Sequence, residues 1–346
     1  MVRENDLFTV KALSRERGTY MKKRNKFFPV IVFCLTIFFF SPLVFADSGT
    51  SEPIHLKDNL FSVKFVNPKQ GWAVGYYGTI IHTEDGGKSW SFQQSGKTKL
   101  LTDVDFVDSN NGWAVGYGPT ILHTTDGGKT WSEQKISEDI FLTAVHFLND
   151  KKGWVVGEFG TILVTEDGGN TWTKQFSGGD AILYDICFSD ELHGWAVGEF
   201  GTIFATADGG KTWANQTSGV ENVFFSCRAL DNQNVWVVGI DSMVLHSKDG
   251  GKTWDRVDTG LGKKVPFYAI FLKDSSHAVI NGQGAVLYTE DGGTTWKPSQ
   301  FKDTIQYNWL YKMSGAGNDI WMVGENLRVF KSANDGKEWE EIAITE

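Results

Sequence analysis

Arginine is scarce in this chain. After residue 46 only Arg228, Arg256 and Arg328 occur, and the 346 residues carry a formal charge of -9. That leaves no basic face of the size that phosphate-backbone binding needs, so nucleic acid is excluded as a partner. Cysteine is scarce too, at three residues, too few for a disulfide framework. Histidine is spread out as His55, His82, His123, His146, His193, His246 and His277, with no pair at metal-ligand spacing. No Gly-rich loop opens a helix, and no nucleophile elbow or dinucleotide fingerprint occurs, so neither a cofactor nor a metal nor a catalytic residue is expected. What the chain has in quantity is glycine, 39 residues, and tryptophan, 14, in a composition that favours β-structure.

The N-terminal stretch MKKRNKFFPVIVFCLTIFFFSPLVFA, 21–46, puts a Lys/Arg cluster before an apolar run and ends in Val44-Phe45-Ala46. This predicts a secretory signal starting at Met21 and cut after Ala46, hence a secreted or periplasmic protein. The other reading is an uncleaved membrane anchor, because 27–45 is long enough to span a bilayer, though Pro29, Ser41 and Pro42 interrupt it. Residues 1–46 are therefore read as leader and signal peptide, 47–59 as a short N-terminal segment, and 60–346 as one repeat domain.

The repeat is marked by an eight-residue box, TEDGGKSW at 83–90, recurring to SANDGKEW at 332–339. Its third positions are Asp85, Asp126, Asp167, Asp208, Asp249, Asp291 and Asn334, spaced by 41, 41, 41, 41, 42 and 43 residues. Thirteen residues before each lies Trp72, Trp113, Trp154, Trp195, Trp236, Ala278 or Trp321. Each unit divides into four short β-like runs, as in LTDVDF, GWAVG, TILHT and TWSEQ, separated by turn residues. Four short strands per unit, seven times over, predict an all-β fold, a seven-bladed β-propeller of four-stranded blades preceded by a signal peptide. One such sheet cannot cover both its apolar faces; seven packed radially cover each other.

In the box, Gly-Gly supplies backbone angles that other residues resist, while Asp and Thr or Ser can accept from N–H groups in a tight turn. The pattern resembles the sialidase-type Asp box, S/T-x-D-x-G-x-x-W, which implies a turn between the third and fourth strands on the outer part of the blade. Seven symmetry-related acids there cannot converge on one substrate, so they are read as structural. They also lack the alternating oxygen ligands of a calcium loop.

GWAVG followed by the T-x-D-G-G-x-T-W box, in seven copies behind a signal peptide, resembles the photosystem II stability and assembly factor family of seven-bladed propellers. The resemblance covers about five-sixths of the chain. It implies a non-catalytic assembly or stability factor that binds a protein partner, here of an envelope complex. Photosynthetic members are expected to hold a newly made membrane subunit on an arginine-rich patch, partly in the loop after the GWAVG strand. In this sequence that loop carries Tyr76-Tyr77, Tyr117, Glu158-Phe159, Glu199-Phe200, Asp241, Gln283 and Glu325-Asn326, with Arg328 the one basic residue nearby.

Loops between second and third strands share a face with the links between blades, and there side chains can converge. Tyr76, Tyr77, Tyr117, Phe159 and Phe200 beside Glu158, Glu199, Asp241 and Glu325 make it an aromatic and acidic surface suited to a protein or peptide. The bland reading is that the aromatics cover their own blade ends. A second candidate is the axial channel, with Asp103, His146, Asp185 and Arg228; a third is a notch at the irregular last inner strand with Trp309. Cys187 and Cys227, on the first strands of neighbouring blades, either face each other or point apart. The rival functions are a glycan-binding lectin that stacks sugars on Tyr76, Tyr117 and Trp309, and a sialidase-like glycosidase, which needs an arginine cluster that three dispersed arginines do not provide. A monomer is expected.

Overall fold

The computed structural model describes residues 58–176, 178–302 and 309–344; the expected leader, signal and most of the N-terminal segment lie outside them. Each repeat unit forms one antiparallel sheet. In the first blade the strands are Leu60–Phe65, Gly71–Gly75, Ile80–Thr83 and Ser91–Gln93. The blades fall at 60–93, 101–134, 142–176, 183–215, 224–256, 267–298 and 310–342. First strands touch one another around the axis, including the last blade's against the first's. The fold is thus an all-β, seven-bladed propeller.

The second strands read GWAVG or a variant because they are buried on both faces. Apolar residues gather between blades, so that each of the seven seams has its own core. Trp72, Val74 and Ile80 of blade 1 meet Leu101, Val104 and Phe106 of blade 2, and Leu60, Val63 and Phe65 of blade 1 meet Trp321, Val323 and Val329 of blade 7. The repeated tryptophan sits at the centre of a seam. Trp113 lies between Phe147 of the next blade, 3.5 Å between ring centroids, and His123 of its own third strand, 4.7 Å. Such stacks contribute about 0.5–1.5 kcal/mol each beyond the area they bury.

The box forms the turn the sequence indicates. Thr124 Oγ1 donates to Asp126 Oδ1 and accepts from the Gly128 N–H, while Asp126 accepts from the Thr130 N–H and hydroxyl, at 2.7 to 2.9 Å. Gly127 and Gly128 take φ of 74° and 86°, where a side chain is strained. The second-strand tryptophan then reaches across the seam, Trp113 Nε1 donating to Gly168 O in the next box at 3.0 Å. A glutamine on the outer strand completes the tie. Gln134 Nε2 also donates to Gly168 O, and its Oε1 accepts from the box indole Trp172 at 3.3 Å.

The last blades depart from the pattern. Counting back from the box puts Ala278 in the tryptophan position, but Ala278 pairs with Thr289 as Gly71 pairs with Thr83, so the true equivalent of Trp72 is Val279. The loop after the second strand of blade 6 is one residue shorter, which shifts the count. Blade 7 gains a fifth short strand, Gln300–Phe301, running parallel to Glu338–Ile342. Both described cysteines are buried free thiols, and no disulfide joins Cys187 to Cys227.

Candidate functional site

The ring has two unlike faces. The box turns lie with the turns between first and second strands, as the Gly86 N–H bond to Lys69 O shows. The loops after the second strands lie with the inter-blade links on the other face, the Tyr76 N–H bonding to Asn59 O and the Glu158 N–H to Phe141 O. The seven box residues Asp85 to Asn334 are thus set apart from that loop face.

Three of its exposed aromatics occupy one loop position, in a left-handed backbone that L-residues resist: Tyr77 at φ 54°, Phe159 at 58° and Phe200 at 59°. Asp241 and Asn326 hold the same position in blades 5 and 7, at 59° and 58°. Tyr77, Phe159 and Phe200 are 53, 49 and 47 % exposed, and Tyr117, one position earlier in its loop, is 43 %. The loops of Tyr77, Phe159 and Phe200 thus each display a large apolar ring to solvent from strained backbone.

The acidic part of the expected site changes character. Glu199 is fully buried, its carboxylate accepting the Ile182 N–H at 3.0 Å, and Glu158 does the same for Phe141. These glutamates fasten the inter-blade link to the loop, Glu199 without exposed surface and Glu158 partly exposed. Burial raises the carboxyl of Glu325. Asp241 lies 3.7 Å from Lys264. Arg328 is turned outward, bound through two nitrogens to Glu341 with its guanidinium over Phe330. Tyr76 is half-buried, and burial together with Tyr77 and Asp58 pushes its hydroxyl up to about 12.

Around the mouth of the axis on this face runs an aromatic collar. Every inner strand carries a bulge at its second residue, as between Leu60 and Ser62 or Leu183 and Asp185. The bulge residue is aromatic in five consecutive blades: Tyr184, Phe225, Tyr268, Tyr311 and Phe61, with neighbouring centroids 5.3, 5.4, 5.7 and 4.9 Å apart. Trp309 stacks on Tyr268 at 5.7 Å, and Phe61 continues through Tyr76 to Tyr77. Blades 2 and 3 carry Thr102 and Thr143 there, whose hydroxyls bond across the seams to Leu142 O and Leu183 O. The signal in the sequence was an aromatic recurring one place before the polar layer.

That next layer holds the charges. Asp103 and Asp185 converge from blades 2 and 4 on Lys312 of blade 7, at 2.8 and 3.5 Å, and Arg228 of blade 5 reaches Asp185 at 2.8 Å. Ser62 and the Val145 N–H also serve Asp103, and Ser226 and the Cys227 N–H serve Asp185. Burial alone would lower the Lys312 ammonium, but Asp103 and Asp185 outweigh it and raise it. His146 stands apart, 3.8 Å from Asp105, its pKa lowered by burial. Lys312 was not anticipated; it holds the same strand position as Ser62, Asp103 and Asp185. With its carboxylates satisfied from within, the cluster ties blades together across the axis.

The described arginines do not gather. Arg228 binds Asp185, Arg328 binds Glu341, and Arg256 stands on an outer strand.

Fold and loop face together define a seven-bladed Asp-box propeller with a protruding aromatic surface on one side. The chain belongs to the photosynthesis system II assembly factor YCF48 family, whose model matches residues 91–177, 177–270 and 260–346. Among solved structures, one described as YCF48 bound to D1 peptide is 20 % identical with a TM-score of 0.69, over 81 % of this chain and 93 % of that one. YCF48 from Cyanidioschyzon merolae is also 20 % identical at a TM-score of 0.69, over 81 % and 97 %. The GH74 xyloglucanase from Xanthomonas campestris is similar in fold at 12 % identity and a TM-score of 0.69, over 85 % of this chain and 56 % of that one. No curated protein matches the chain in sequence.

Proposed function

We propose that this propeller is a non-catalytic binding module that takes a segment of a partner protein on its loop face and serves as an assembly or stability factor for an envelope complex. The observation that carries the reading is the set of Tyr77, Phe159 and Phe200 rings, about half exposed on left-handed backbone and joined by Tyr117. Family membership supports the assembly role, and a structural relative described as bound to D1 peptide supports a polypeptide occupant. The secretory pattern of residues 21–46 supports a place outside the cytoplasmic membrane.

The test is affinity capture from the native envelope fraction with the full chain and with Tyr77→Ala/Phe159→Ala/Phe200→Ala. Proteins captured by the first and lost with the second support the reading. Identical captures overturn it, and retention of glycans alone replaces it with a lectin.

A further inference from the structure

We propose that blades 3 and 4 form a docking strip for a cationic, extended segment of the partner, whose Lys or Arg side chains lie on Phe159 and Phe200 between acidic links. The inference rests on the loop-face reading and adds to it the charge of the occupant. Each ring rises between two inter-blade links. The loop of Phe159 is tied to the link before blade 3 by the Glu158 N–H bond to Phe141 O, and to the link after it by the Gly160 N–H bond to Ala181 O. The loop of Phe200 repeats this with Ile182 O and Asn222 O. Asp139, Asp180 and Glu221 stand on these links and are exposed. The links after blades 3 and 4, SGGDAI at 177–182 and TSGVENV at 217–223, contain no Lys or Arg. Phe200 is therefore bracketed by links that carry Asp180 and Glu221 and no Lys or Arg, while the link before Phe159 sets Lys135 against Glu138 and Asp139.

A cation over such a ring is attracted by its π face and by the neighbouring carboxylate together. An anionic segment or an anionic membrane surface is repelled by the same groups. The chain itself shows the seating one blade earlier, where Lys99 Nζ lies 4.7 Å from the centroid of Tyr117. At the positions equivalent to Lys99 the links before blades 3 and 4 carry Ile140 and Ala181, so the fold itself sets no cation there.

The experiment titrates the full chain with two dye-labelled, capped decapeptides, one alternating Lys and Ala and the other Glu and Ala, read by fluorescence anisotropy at low and high salt. The expected result is binding of the Lys peptide at least about tenfold tighter than the Glu peptide, a preference that salt weakens. Asp139→Asn/Asp180→Asn/Glu221→Gln should lower the affinity for the Lys peptide about tenfold and Phe159→Ala/Phe200→Ala severalfold, while Glu84→Gln/Glu191→Gln, on the opposite face, leaves it unchanged. Equal binding of both peptides that is lost with Phe159→Ala/Phe200→Ala overturns the cationic assignment and keeps the loop face. Binding of the Lys peptide that ignores the three link acids overturns it as well. If neither peptide binds, the cationic assignment falls, and the envelope capture decides the loop face by itself.

Discussion

Trp321 of the last blade donates its indole N–H to the carbonyl of Gly86 in the first, 3.0 Å away, and lays its ring on Phe65 with centroids 3.7 Å apart. Trp72 makes the same two contacts with Gly127 and Phe106, at 3.1 and 3.7 Å. The ring therefore closes by repeating its ordinary seam, with each blade built from its own contiguous segment. The Phe65 N–H bond to Ser314 and the Leu327 N–H bond to Asp58 O add to the same closure.

A seam of this kind has a measurable worth. Trp321→Phe keeps most of the ring but orphans the Gly86 carbonyl, which should cost about 1–3 kcal/mol. Trp321→Ala should cost about 3–5 kcal/mol, and Trp72→Ala a similar amount, in denaturant titrations of both. A much larger loss at Trp321 would mean that closure depends on more than seam packing.

Lys312 is expected to be the most sensitive charge in the molecule. Lys312→Met leaves Asp103 and Asp185 buried without their shared cation and should destabilise by about 3–5 kcal/mol. Lys312→Met/Asp103→Asn should recover part of that loss. Burial alone would raise the carboxyl of Asp185, but Lys312 and Arg228 outweigh it and hold it low, so its contribution is present above the ordinary Asp range and fades as pH falls. The raised Lys312 contributes below its ordinary 10.5 and loses that contribution as pH climbs past its folded value.

The boxes predict an acid limb. Asp85, Asp126, Asp208, Asp249 and Asp291 are held at about 2, against an ordinary 3.8, chiefly by hydrogen bonds from the Ser or Thr four residues on. A lowered carboxyl stabilises above its unfolded value, so melting temperature should fall between about pH 4 and 2. Replacing several of these by Asn, the residue nature places at 334, should flatten that limb. A melting curve that keeps its full acid slope in the multiple Asn variant would contradict the role assigned to the carboxylates.

At Phe159 stability and binding should move in opposite directions. Phe159→Gly relieves a non-glycine residue at φ 58° and should gain up to about 1 kcal/mol. The same change removes a docking ring, so partner capture should drop while the thermal midpoint rises. A variant that loses both, or keeps both, does not fit a ring retained for contact.

Much of this architecture was readable in advance, because the box, the tryptophan and the 41-residue spacing are local and repeat in register. Val279 was misplaced by one because the count crossed a loop shortened in blade 6 alone. Glu199 looked like surface acid because its partner, the Ile182 N–H, lies seventeen residues away in the chain. Gln93, Gln134, Gln175 and Gln216 recur three places after the box tryptophan, yet their shared bond to a Gly carbonyl of the next box, which Gln93 and Gln134 extend to the box indole, appears only once blades are set side by side. Lys312 and the collar were hidden for a related reason: they are defined by position around the axis, and residues that meet there are far apart in sequence.

The most direct measurement places a photo-crosslinking amino acid at Phe159 on the loop face and, in a second protein, at Lys129 in an Asp box, and irradiates each in the native envelope. The account predicts adducts with one polypeptide partner from position 159 and none from 129. Adducts from 129 with silence at 159 would contradict it.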